Sequence, residues 1–108
     1  MEERRATPRI RVLFRSTFSA DSQLEGEGTV MDLSLGGCKV HSTAPMSLDS
    51  SLELRIYVPG LDWPLMVDSA AVRWAEESAF GLAFLRVRDT EQERLSQVLT
   101  ELREQPQG

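Results

Sequence analysis

Short runs of alternating apolar and polar residues, punctuated by turn-forming residues, fill most of this 108-residue chain. The cleanest run sets Leu52, Leu54, Ile56 and Val58 against Glu53, Arg55 and Tyr57, the period-two pattern of a half-buried strand. Ile10 to Ser19 reads the same way, with Ile10, Val12 and Phe14 on one face and Arg11, Leu13 and Arg15 on the other. A turn at Ala20-Asp21-Ser22 predicts a returning strand over 23–33, in which Gly26 and Gly28 mark a bulge. Gly37 to Ser42 alternates Cys38 and Val40 against Lys39 and His41. Pro59-Gly60 closes the fourth strand, and Leu65 to Trp74 forms the fifth, with Met66, Ala70, Val72 and Trp74 sharing one parity.

Phe80 to Val87 is apolar on both faces, so its outer side calls for a cover. The chain offers one helix, over 90–104. Thr90-Glu91-Gln92-Glu93 has capping-box spacing, and Leu95, Val98, Leu99 and Leu102 recur at helical intervals. Six strands and a terminal helix predict an all-β fold, a six-stranded antiparallel β-barrel with one C-terminal α-helix. Residues 1–108 then form a single domain, divided into a flexible Arg-rich arm (1–9), the barrel (10–88), the helix (90–104) and a disordered tail (105–108).

Composition narrows the function classes. A net charge of −5 argues against general nucleic-acid binding, which needs a broad positive field. The charge is unevenly spread: residues 1–15 carry five arginines against two glutamates. Eleven of the twelve basic residues are arginine, Lys39 being the exception, and arginine clusters favour forked recognition of phosphate or guanine. The lone Cys38 permits no internal disulfide, which points to a reducing compartment. No apolar run approaches a membrane span and no secretory leader is visible, so a cytoplasmic location without membrane attachment is expected. With one histidine and one cysteine there is no metal-ligand set and no nucleophile-base pair. Cys38 reads as buried structure and His41 as a solvent-facing strand residue. Neither an enzyme nor a cofactor is expected.

Two runs carry the chemistry. Arg4-Arg5-Ala6-Thr7-Pro8-Arg9 offers three guanidinium forks, and Asp32-Leu33-Ser34-Leu35-Gly36-Gly37 offers a carboxylate, a hydroxyl and permissive backbone in a turn. Guanidinium groups fork to phosphate oxygens or to guanine O6 and N7. A carboxylate accepts from guanine N1–H and N2–H₂. Hairpin arithmetic brings the runs together: a turn at 20–22 makes paired positions sum to about 42, setting Ile10 opposite Asp32. The arginines repel one another, and the arm is expected to stay mobile until an anion arrives. A solvated arm of no consequence is the plainer alternative.

The two runs resemble the signature of PilZ domains, Arg-x-x-x-Arg (Arg5 to Arg9) followed by Asp-x-Ser-x-x-Gly (Asp32, Ser34, Gly37). The likeness continues through Ala71-Val72-Arg73-Trp74 and Phe80-Gly81-Leu82-Ala83-Phe84, covering about residues 4–100. It implies a receptor for cyclic di-GMP, a bacterial second messenger that governs motility or biofilm formation. Arg5 and Arg9 would contact phosphate and guanine, Asp32 and Ser34 the guanine edge, and Gly36 and Gly37 the turn. Arg4, directly before the motif, implies binding of a stacked pair of dinucleotides. Trp74 matches a position where some members place an aromatic near the base. For a single domain, the resemblance implies output through an unidentified effector protein in trans.

Two other classes stand beside this reading. One is a nucleotide-independent interaction adaptor in pilus, flagellar or chemotaxis machinery, against which the intact arginines and Asp-x-Ser argue. The other is a barrel for single-stranded nucleic acid, which would need a basic groove lined with aromatics. This chain is acidic, and its seven aromatic residues fall mostly on apolar parity.

Overall fold

The computed structural model of the chain describes residues 9–20 and 24–104. Residues 1–8, with Arg4, Arg5 and most of the expected arm, lie outside the described residues. So do Asp21 and Ser22 of the expected first turn, and the tail 105–108.

Six strands form: β1 (Ile10–Ala20), β2 (Leu24–Leu33), β3 (Gly37–His41), β4 (Ser51–Tyr57), β5 (Leu65–Ala75) and β6 (Ala79–Arg86), followed by α1 (Asp89–Glu104). They close into an antiparallel barrel in the order β1-β2-β3-β6-β5-β4, with β4 returning to pair with β1. Closure leaves no unpaired sheet edge. Inside, Phe18 and Phe80 meet edge to face at 5.4 Å between centroids, a preferred aromatic geometry. Leu54, Ile56, Val30, Leu33, Val40 and Val72 fill the space around them, each fully buried. Leu95, Val98 and Leu99 bring the apolar stripe of α1 into the same core, and burying each is worth about 1.5–3 kcal/mol.

The register differs from the expectation by two residues. β1 and β2 pair with a sum of 44, as in Ser19 opposite Glu25 and Phe18 opposite Gly26, and of 43 at the far end. Asp32 therefore faces Arg11, and Ile10 faces Leu33. The irregularities fall elsewhere than at Gly26 and Gly28. Gly26 is small because the ring of Phe18 occupies the space its Cβ would need. One bulge lies in β1 between Arg11 and Phe14; another, at Met31, interrupts the β2–β3 ladder. The Met31 bulge breaks the two-residue alternation, so Val30 and Leu33 both point inward and Asp32 points out.

Bulges also reorder β5. Between Val67 and Ala70 the β4–β5 register slips by one residue, so Leu65 and Val67, rather than Met66, share the interior with Ala70 and Val72. A second slip at Arg73 turns Trp74 outward, away from the parity of Val72. The helix begins at Asp89, before the expected Thr90 cap. It packs chiefly on β5 and β1 instead of covering the outer face of β6, and Leu85 on that face is left exposed. Glu91 accepts the Met66 amide at 3.0 Å, anchoring the helix to β5, and is itself held by Arg94 Nη1 of the same helix at 2.8 Å.

The paired glycines at the start of β3 differ in kind. A Cβ on Gly37 would run into the carbonyl oxygen of Leu82, whereas one on Gly36 would meet nothing within 4 Å. Gly36 is exposed and has no positive φ. Gly37→Ala is expected to lose about 1–3 kcal/mol, while Gly36→Ala stays within about 0.5 kcal/mol of the parent. Urea unfolding of the two variants checks this contrast.

Candidate functional site

The β2–β3 corner is built from its own polar atoms. Ser34 N–H donates to Gly37 O at 2.9 Å, and Ser34 Oγ donates to the same carbonyl at 3.2 Å while accepting Gly36 N–H at 3.2 Å. Gly36 O accepts Phe84 N–H at 2.8 Å, tying the corner to β6. Ser34 is buried. Its hydroxyl proton is committed to the turn, so its visible contribution is to hold the corner's shape.

Asp32 stands at the outer lip of this corner. Its Oδ1 accepts Arg9 Nη1 at 2.8 Å and the Lys39 backbone N–H at 3.1 Å. The two motif runs therefore meet through Arg9 and Asp32, as the hairpin argument requires despite its shifted register. The pair is partly solvated, with side chains 55% and 22% exposed. Such ion pairs contribute about 0–1 kcal/mol, so a ligand can displace one cheaply.

Beside the pair lies a cleft of about 610 Å³ lined by Arg11, Val12, Leu13, Met31, Asp32 and Lys39. Arg11 and Lys39 were not expected there; a hairpin sum of 42 hides Arg11 behind Ile10. The available signal was parity, since Lys39 alternates against the buried Cys38 and Val40. A further groove of about 480 Å³ runs between β1 and the 58–64 connection. There Arg15 stacks on Tyr57 at 5.2 Å and Arg94 on Trp63 at 5.3 Å.

Trp74 opposes Gly81 across the β5–β6 ladder. Its indole lies against the Gly81 Cα so closely that any Cβ there would strike it. Trp74 is 37% exposed as a residue, and it stands on the outer face of the wall. Arg4 and Arg5 lie outside the described residues. Among the described residues no three His, Cys, Asp or Glu side chains gather as a metal would require, and no helix is long and apolar enough to cross a membrane.

Cys38 lies behind the corner, fully buried. Burial pushes its thiol pKa far up, the Asp32 carboxylate adds to the rise, and Arg9 partly offsets it. The unfolded thiol ionises first as pH rises past its ordinary value, so this group's contribution to stability is lost with rising pH. In the folded protein at about pH 8, a thiol-reactive disulfide reagent is expected to label Cys38 only as fast as the barrel opens. Adding urea through the unfolding transition should release labelling in step with loss of structure; fast labelling of the native state would contradict it.

The sequence profile of the PilZ domain family matches residues 3–101. No curated protein sequence matches this chain. Among solved structures, the Bacillus subtilis inhibitor of motility MotI/DgrA superposes with a TM-score of 0.75 at 19% identity, covering 97% of this chain and 55% of that one. The PilZ domain of CeSA from a cellulose-synthesizing bacterium gives 0.73 at 18% identity, covering 89% and 98%. YcgR from Escherichia coli, solved in complex with c-di-GMP, gives 0.72 at 19% identity, covering 94% and 46%. The chain thus spans about half the length of MotI/DgrA and of YcgR, and nearly all of the CeSA domain.

Proposed function

We propose that this chain, which belongs to the PilZ domain family, is a receptor for cyclic di-GMP that carries no catalytic activity of its own. The observation that carries the reading is the 2.8 Å contact between Arg9 and Asp32, one from each motif run, at the lip of an outward-facing cleft. The similarity to YcgR, solved with c-di-GMP, supports the choice of ligand.

Each site residue takes a role suited to its chemistry. Arg5 and Arg9 fork to phosphate and to the guanine acceptors, and Arg9 exchanges its Asp32 partner for the ligand. Asp32, released, accepts from guanine N1–H and N2–H₂. Ser34 and Gly37 keep the corner's backbone in place, Gly36 presents exposed backbone beside it, and Trp74 offers an indole face to a base. Arg4 adds the cation that a stacked pair of dinucleotides requires. Charge-assisted bonds contribute roughly 1.5–3 kcal/mol each, so three or four suffice for micromolar binding, about −8 kcal/mol, after ordering costs. Ligand held between the arginines and the corner alters the surface shown to an effector protein, and the signal passes in trans.

Calorimetric titration tests the site. Arg5→Ala and Arg9→Ala are expected to abolish binding with the barrel's thermal stability intact, and Asp32→Ala to erode the preference for c-di-GMP over cyclic di-AMP. Parent-like affinity in both arginine variants would remove the site. Stoichiometry tests Arg4: two dinucleotides per chain are expected in the parent, falling towards one in Arg4→Ala. One per chain in the parent would refute that role.

A further inference from the structure

Five residues from five different strands stand opposite one another across the barrel wall beside the corner. Arg11 faces Asp32, Asp32 faces Lys39, Lys39 faces Gly81, and Gly81 faces Trp74. Directly opposed residues of antiparallel strands project to the same face. Because Asp32 is outward, the row is an outer ledge of cation, carboxylate, cation, and an indole lying across a bare glycine. Followed along the curved wall at about 4.8 Å per strand spacing, the row covers roughly 19 Å from β1 to β5.

Lys39 occupies the middle of this ledge. Its backbone N–H is spent on Asp32, but the Asp32 carboxylate pairs with Arg9, and the ion pairs among the described residues involve Arg9, Arg55, Arg88 and Arg94 rather than Lys39. The ammonium is a compact charge on a flexible four-carbon stem, and the residue lines the same cleft as Asp32. We infer that Lys39 is a further ligand-binding residue, its ammonium bonding the phosphate that links a guanine at Asp32 to a base stacked on Trp74. This rests on the cyclic di-GMP reading and extends it. Phosphate is then held by Arg9, next to the start of β1, and by Lys39 on β3, with Asp32 of β2 between them.

Lys39 is the chain's only lysine, so lysine labelled with carbon-13 at Cε yields a single side-chain signal. On adding c-di-GMP to the wild-type chain, that signal is expected to shift and saturate together with the backbone amides of 32–37. Lys39→Met is expected to weaken binding about 10- to 100-fold, and Lys39→Arg, which keeps the charge, to recover most of the loss. If the amides of 32–37 move while the lysine signal stays still, Lys39 is no ligand contact and the receptor reading survives. If neither moves at saturating dinucleotide, the receptor reading falls and the Lys39 role with it. The wild-type spectrum decides the matter even should Lys39→Met fail to fold.

Discussion

The Gly37 backbone lies so close to the carbonyl of Leu82 that no side chain fits between them, and this approach seats β3 against β6. A side chain at that point would hold β3 off β6, and the β3–β6 ladder is one of the six that close the barrel. The same approach lets Gly36 O take the Phe84 amide and lets Ser34 close the turn on Gly37 O. What looks like a ligand motif is thus first a structural corner. Its hydroxyl and one of its glycines serve the backbone, and the carboxylate stands on the outer wall beside the exposed Gly36.

The outward position of Asp32 has a separate cause. One extra residue at Met31 turns Leu33 inward beside Val30, leaving Asp32 on the outer wall. There it accumulates positive company: Arg9 in contact, Arg11 and Lys39 one strand away on either side. In a chain of net charge −5 this is a local reversal of sign. A partly solvated ion pair of small net worth also suits exchange, since a ligand that displaces it gives up little stability.

Much of this was legible beforehand. Period-two alternation located β1, β3, β4 and β5, because residues that fill a barrel interior must be apolar at every second position, while β2 followed from the turn before it and β6 from a short run apolar on both faces. The stripe Leu95, Val98, Leu99 and Leu102 located the helix for the equivalent reason at a 3.6 period. The meeting of Arg9 with Asp32 was also foreseen, since a hairpin keeps the two ends of its strands together even when register slips by two. Misplaced were the features governed by single extra residues. Bulges at Val12–Leu13, Met31 and Arg73 carry no distinctive residue type, whereas Gly26, which has one, turned out to make room for Phe18. The apolar outer side of β6 favours the helix there. In the structure the helix spans β5 and β1, where Glu91 accepts the Met66 amide of β5.

The amino-acid sequence alone determined the element types, their order, the barrel class and the chemical character of the two motif runs, because each follows from local periodicity and residue chemistry. Tertiary structure alone decided which side chains stand together: Arg11, Asp32, Lys39 and Trp74 come from four strands scattered over 64 residues and share a ledge only through cross-strand register. Register is set by bulges and by where core side chains such as Phe18 find space. Those are packing outcomes of the whole barrel, and no local stretch of the chain encodes them.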